Sequence, residues 1–239
     1  MTLGRIFVVG DIHGCATELD TLLRALDAGE GDTLCFLGDY VDRGPDSRGV
    51  LDRLIDLEKG PAHCIFLKGN HEDMFLDCLG RGGHYGGSFI ENGGAVTLRS
   101  YGLAPRRRDD LPELLPAAHL DFLDRLRVHH DFGPSFCVHA GVRPTVSLAE
   151  QTAEDLLWIR EDFFLAPHPF AKTVLYGHTP RKSIECALPY RIGLDTGLVY
   201  GGCLSCLELR GATLYQIVRR AKSVTTTELR PQLGAFRLA

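Results

Sequence analysis

The run Gly38-Asp39-Tyr40-Val41-Asp42-Arg43-Gly44 follows four apolar residues, Leu34-Cys35-Phe36-Leu37. An apolar, β-prone run bounded by turn residues reads as a buried strand. Beyond its end stand two carboxylates and a guanidinium. Packing does not need that set, but a bound cation does. The rest of the chain supplies partners for one. Gly10-Asp11-Ile12-His13-Gly14 follows Ile6-Phe7-Val8-Val9, and Gly69-Asn70-His71-Glu72 follows Ile65-Phe66-Leu67. Val138-His139-Ala140-Gly141 and Tyr176-Gly177-His178-Thr179 come later, each again after an apolar run. Five loops at five strand ends, each with a metal-capable side chain, describe one site.

The chain has 239 residues, 44% of them hydrophobic and 24% charged, which suits one α/β domain with a sizeable core. A formal net charge of −5 argues against a dedicated nucleic-acid binder. No apolar run approaches the roughly 20 residues a membrane span needs. Met1-Thr2-Leu3-Gly4-Arg5 lacks a signal-peptide pattern, so the expected location is cytoplasmic. Of eight cysteines, Cys35, Cys64 and Cys137 lie in strand-like runs and read as reduced, buried hydrophobes. Cys203-Leu204-Ser205-Cys206 has a pairable spacing, but one such pair is a weak zinc signal.

Helical spacing of leucines predicts a helix over Ala16 to Leu26 and another over Ser47 to Lys59, the second capped by Asp46 or Ser47. Strand–helix–strand alternation predicts a sheet flanked by helices, with ligands at the strand ends. Residues 80–130 interrupt that rhythm. Gly80 to Gly87 is turn-rich, Ala95 to Gly102 reads as a short helix and Leu115 to Leu126 as another. The expectation is one domain over 1–239 with a helical insertion at about 80–130 lying over the site. Further strands are expected at Ser135–Val138, Thr173–Tyr176 and Arg191–Leu194, a helix around Thr152–Leu157, and paired strands from Cys203 to Val218. The polar tail Ser223–Arg230 either continues that sheet or frays.

Asp11 and His13 alternate along the chain, and in an extended segment both would reach one ion. Carboxylate plus imidazole suits a borderline divalent or trivalent transition metal. Asp39 has two oxygens to share between two ions. Asn70 and His71 are adjacent, so their side chains diverge and only one is expected on metal. The set Asp11, His13, Asp39, Asn70, His139 and His178 is sufficient for two ions sharing Asp39. Two metals about 3.5–4 Å apart can hold a bridging hydroxide and clamp an in-line displacement at phosphorus. Arg43 and Arg160 are candidates for binding phosphoryl oxygens, and Asn70 counts with them as a substrate contact. His71, free of metal, is the natural general acid. Asp42 would orient it and keep it protonated.

Those motifs together resemble the three signatures of the PPP-type metallophosphatases, the serine/threonine protein phosphatase superfamily, over residues 5 to about 202. His139 and His178 match that family's two later metal-binding histidines. Leu157-Trp158-Ile159-Arg160, Asn92-Gly93-Gly94 and Gly193-Leu194-Asp195-Thr196-Gly197 resemble its compact bacterial and bacteriophage branch. The resemblance implies a calcineurin-like αββα sandwich of two mixed sheets. It implies Mn²⁺, or an Fe/Zn pair, and direct attack by the hydroxide between the metals without a phosphoenzyme. It assigns His71 and Asp42 as the acid pair and Arg43 and Arg160 as phosphate ligands. The chain lacks the long C-terminal region of eukaryotic members, so their regulatory partners do not carry over.

The leading expectation is a phosphatase for phosphoserine and phosphothreonine in proteins. The alternative is a symmetrical diadenosine tetraphosphate hydrolase, for which Arg81, Arg99 and Arg106–Arg108 would meet extra phosphates, though most of these arginines read as a solvated face. A third reading, an inactive phosphate-binding protein, is opposed by the intact set of candidate residues. A phosphodiesterase or nuclease fits less well than a monoesterase, because paired arginines and a negative chain suit a dianionic monoester.

Overall fold

The computed structural model describes residues 4–106, 109–229 and 239. In chain order it begins β1 (Ile6–Val9), α1 (Ala16–Leu26), β2 (Thr33–Phe36), α2 (Ser47–Leu57), β3 (His63–Phe66) and α3 (Asn70–Cys78). A helical stretch follows with α4 (Ala95–Ser100), α5 (Leu111–Leu114) and α6 (Ala117–Asp124), then β4 (His129–Asp131) and β5 (Ser135–Val138). After α7 (Ala153–Trp158) and α8 (Glu161–Leu165) come β6 (Thr173–Tyr176), β7 (Glu185–Ala187), β8 (Arg191–Gly193) and β9 (Asp195–Thr196). The last strands are β10 (Cys203–Glu208), β11 (Thr213–Val218) and β12 (Thr225–Glu228).

These strands form two mixed sheets. One has the order β12-β11-β10-β1-β2-β3, with β9 paired to β10 off that path. The other is β4-β5-β6-β8-β7. Within each, one run of three strands is parallel (β1, β2 and the edge strand β3; β5, β6 and β8), and the rest pair antiparallel.

Side-chain alternation explains why the strands read as unbroken apolar runs. In β1, Phe7 and Val9 pack on the α1 and α2 side, while Ile6 and Val8 face the second sheet. In β2, Leu34 and Phe36 point to the helices and Cys35 to the space between the sheets, joined there by Leu37 just past the strand. From the other sheet, Cys137, Leu175 and Ile192 fill that same layer. Phe136, Val138, Val174 and Tyr176 face outward onto α7 and α8. Each fully buried Phe, Leu or Val contributes about 1.5–3 kcal/mol to holding the layers together. The expected helix–sheet–sheet–helix sandwich is therefore present.

Most expected elements lie within two residues of where the chain forms them, and Asp46 caps α2 by accepting from the Gly49 N–H at 2.8 Å. The third helix was not expected. The short strands β4, β7 and β9 and helix α8 were not expected either. β4 and β7 are edge strands with partly exposed side chains, so they carry no apolar run. The tail continues the sheet: β12 pairs with β11 from Thr213 opposite Glu228 to Gln216 opposite Thr225. Arg230, and Arg107 and Arg108 of the basic run, lie outside the described residues. All eight cysteines are free thiols. Among the described residues, no helix is long and apolar enough to cross a membrane.

Candidate metal centre and active site

The loops that leave β1, β2, β3, β5 and β6 meet at one end of the two sheets, where the parallel strands point their carboxyl ends. Asp11, His13, Asp39, Asp42, Asn70, His71, His139 and His178 are all buried there. Nine non-glycine residues with positive φ occur among the described residues, and five are site residues: His13 (45°), Asp39 (53°), Asp42 (71°), Arg43 (66°) and His178 (63°). Such a conformation costs a non-glycine residue on the order of 1–3 kcal/mol. His13 therefore reaches the site through a left-handed turn, and not through the extended alternation expected for Asp11 and His13. Gly177 allows the last loop to close in, since a Cβ on it would lie 2.0 Å from Asp11 Oδ1.

Glu72 holds the strained β2 loop. Its carboxylate accepts from the backbone N–H of Asp39 (2.8 Å), Tyr40 (2.7 Å), Val41 (3.1 Å) and Gly69 (2.9 Å). It is fully buried, and burial together with the Asp39 charge pushes its carboxyl up to about 7. This role was missed from sequence, although an acidic residue three positions after a helix-capping glycine is a capping signal. Glu72→Gln is expected to destabilise the fold by about 3 kcal/mol or more, because the amide turns a donor toward N–H groups that have no other partner. Urea unfolding checks this, and a loss under about 1 kcal/mol would overturn it.

Two clusters of donor atoms share Asp39. One joins His13, Asp39 and His71; the other joins Asp39, His139 and His178. Asp39 Oδ2 lies 3.4 Å from His13 Nε2, and its Oδ1 lies 3.3 Å from His139 Nε2. Asn70 Oδ1 adds to the second cluster, 3.0 Å from His139 Nε2 and 2.9 Å from His178 Nδ1. Asp11 stands in neither triad. Its carboxylate accepts from the His178 N–H at 3.0 and 3.2 Å. Burial and the nearby Asp195 and Asp39 carboxylates push Asp11 well up.

The donor set fits a cation. His139 Nδ1 meets the Leu37 carbonyl at 2.8 Å and His13 Nδ1 meets the Val41 carbonyl at 2.9 Å. A carbonyl can only accept, so each ring proton sits on Nδ1 and each Nε2 carries a lone pair. Burial keeps these rings neutral, pushing His13 down to about 3 and lowering His139 and His178. Lone pairs on His139 Nε2, Asn70 Oδ1 and Asp39 Oδ1 thus converge with no proton between them.

His71 differs from the other histidines. Its Nδ1 donates to Asp42 Oδ2 at 2.6 Å. Burial pulls its pKa down, but the Asp39 charge and the Asp42 hydrogen bond outweigh that, leaving it above the usual value. Proximity to His13 and Asp39 places His71 in one donor cluster, while its Nδ1 is committed to Asp42. The adjacent Asn70 faces His139 and His178, as successive residues in the first turn of α3 must point apart.

Arg43 points into the same space. Its Nη1 lies 2.8 Å from His13 Nε2, and its guanidinium sits 5.7 Å over the exposed ring of Tyr200. Arg160 approaches from the turn between α7 and α8, with Nη2 3.5 Å from the His178 carbonyl. Arg143, paired with Asp155 at 2.8 Å and Asp162 at 2.6 Å, braces that turn. Arg160, Arg143 and Trp158 line a cleft of about 700 Å³ beside the centre. Trp158 packs edge-on to Tyr85 at 4.9 Å and borders the His178 ring at 6.5 Å. Arg81 is instead paired with Asp124.

A family model described as calcineurin-like phosphoesterase matches residues 4–202. The chain belongs to the calcineurin-like phosphoesterase family. This phosphoesterase is 31% identical over 212 residues to serine/threonine-protein phosphatase 1 of Salmonella typhimurium, spanning 86% of this chain and 92% of the relative. It is 28% identical over 235 residues to the asymmetrical bis(5'-nucleosyl)-tetraphosphatase PrpE of a Geobacillus species, spanning 85% and 90%. A solved structure provisionally assigned as a diadenosine tetraphosphatase superposes with a TM-score of 0.66 at 26% identity, covering 91% of this chain and 95% of the other. The PPP-type resemblance, the sandwich and the hydrolase class are thus borne out. Two donor clusters sharing one carboxylate suit the family's dinuclear metal dependence.

Proposed function

We propose that this metallophosphoesterase is a phosphomonoesterase acting on phosphoserine and phosphothreonine in proteins. The observation that carries this reading is the buried His71–Asp42 pair, 2.6 Å apart with the His71 pKa raised, against burial, by the Asp39 charge and the Asp42 hydrogen bond, which supports a proton donor there. A serine or threonine alkoxide is a poor leaving group and needs protonation as the P–O bond breaks. A nucleotide departs on a phosphate oxygen and needs an acid far less.

In this reading Asp11, His13 and Asp39 hold one ion, and Asp39, Asn70, His139 and His178 hold the other, with Mn²⁺ or an Fe/Zn pair as the metals. When bound, the pair supplies Lewis-acid polarisation of water and of the phosphoryl oxygens. The protein's own groups do the rest. Arg43 and Arg160 bind non-bridging oxygens, Asn70 contacts the phosphoryl group, His71 donates its Nε2 proton to the leaving oxygen, and Asp42 holds the ring. The chain acts as one domain, and the 80–130 region beside the cleft contributes to substrate choice.

A second reading, hydrolysis of dinucleoside tetraphosphates, is favoured by the likeness to PrpE and to the solved structure provisionally assigned as a diadenosine tetraphosphatase. Expected symmetrical cleavage would yield ADP, whereas the asymmetrical type yields ATP and AMP. The test is Mn²⁺-dependent phosphate release from a phosphoserine/phosphothreonine peptide, in parallel with nucleotide products from diadenosine tetraphosphate. Higher kcat/KM on the peptide supports the protein phosphatase reading. Higher kcat/KM on the dinucleotide overturns it.

A further inference from the structure

The group that orients Asp42 comes from outside the sequence motifs. Thr97, on α4, is fully buried, as are Asp42 and Ser47. Its hydroxyl donates to Asp42 Oδ1 at 2.6 Å, while His71 donates to Oδ2. It also accepts from the Asp42 N–H at 2.8 Å, and its oxygen lies 2.9 Å from Ser47 Oγ. A hydroxyl has one proton. Since Thr97 gives its proton to the carboxylate, Ser47 must donate to Thr97. The hydroxyl protons therefore run from Ser47 to Thr97 to the Asp42 carboxylate, while the Asp42 N–H is shared between the Thr97 oxygen and Ser47 Oγ (3.0 Å), and His71 closes the set from the other side.

That arrangement fixes the plane of the Asp42 carboxylate by a hydrogen bond at each oxygen. It also clamps the backbone of Asp42, which holds a φ of 71°. Helix α4 is itself tied down: Ser100 Oγ accepts from the Arg48 N–H at 3.1 Å and donates to the Thr97 carbonyl at 2.7 Å. One turn earlier, Gly93 (φ 112°) accepts the Arg43 N–H at 3.3 Å, and a Cβ there would sit 2.8 Å from Arg43 N and Cγ. The same short segment thus touches both Asp42 and Arg43.

We propose that Thr97 is a positioning residue for the His71–Asp42 proton donor, so that α4 of the 80–130 region is part of the reaction machinery and not only of substrate choice. This rests on the reading of His71 as general acid. A positioning role has a signature that loss of folding or of metal lacks: it hurts poor leaving groups selectively. The experiment compares kcat for a phosphoserine peptide with kcat for p-nitrophenyl phosphate, whose phenolate departs readily, in metal-loaded enzyme with metal content measured.

Thr97→Val is expected to cut kcat on the peptide by about 10–50-fold, a share of the roughly 10²–10⁴-fold a placed acid supplies. On p-nitrophenyl phosphate the fall should stay within about threefold, and Thr97→Ser should restore the peptide rate. Ser47→Ala, which removes the hydroxyl donating into Thr97, should show the same selectivity at about three- to tenfold and serves if Thr97→Val does not fold. Equal losses on both substrates, no loss on either, or a Thr97→Ser enzyme as impaired as Thr97→Val would overturn the proposal. His71→Asn is the control. If it is selective and the Thr97 and Ser47 variants are not, this inference fails alone; if His71→Asn is itself unselective, the general-acid reading fails with it.

Discussion

Asp39→Asn is expected to weaken both metal positions together, each by about 10²-fold or more in affinity, since even residues that only support a ligand cost about 10–100-fold. The two Asp39 oxygens face different histidines, Oδ2 toward His13 and Oδ1 toward His139, at 3.4 and 3.3 Å. It is the one residue common to both donor clusters. Asparagine would keep a single acceptor and turn an NH₂ toward one of two imidazole lone pairs. It would also remove the negative charge that helps keep His71 protonated. Metal analysis of the purified variant after dialysis, with calorimetric titration of Mn²⁺, reads both sites. One ion retained per chain at unchanged affinity would contradict a shared carboxylate.

His71→Asn is expected to retain both metals and to lower turnover of a phosphoserine peptide by about 10²–10³-fold or more, the share supplied by a placed general acid. Asparagine can hydrogen-bond to Asp42 but has no proton to release at any ordinary pH. The His71 ring is only 1% exposed, so bulk water cannot readily substitute for it. Loss of metal on this substitution would mean that His71 is a ligand, as its closeness to His13 and Asp39 alone would allow. Metal content and steady-state kinetics on one preparation separate the two roles.

The parts of the fold legible in the sequence are those whose cause is local. β1, β2, β5 and β6 are buried on both faces, so their apolar runs are continuous. α1 and α2 bury one stripe each and show its helical period. α3 was hidden for the opposite reason. His71, Glu72 and Asp73 are polar residues buried by the site, and they break the apolar stripe that would have announced a helix. Likewise, the loop motifs made Asp11, Asp39, His139 and His178 visible as candidates. Nothing local marked Thr97, a threonine in an ordinary short helix whose partner Asp42 is 55 residues away.

By itself, then, the sequence determined the elements that carry a local apolar pattern, the family the chain resembles and the side chains able to meet a metal and a phosphate. The tertiary structure alone decided how they meet. Asn70 faces His139 and His178, 69 and 108 residues further on, because parallel pairing aligns the end of β3 with β2 and that of β5 with β6, and the packing of the two sheets brings those ends to one place. Asp39, Asp42 and Arg43 take a backbone hand that their residue types disfavour, and Glu72 and Thr97 hold the Asp39–Asp42 part of that loop there with buried hydrogen bonds. Propensity and periodicity are sums over neighbours in the chain, whereas that loop is held by groups distant along it.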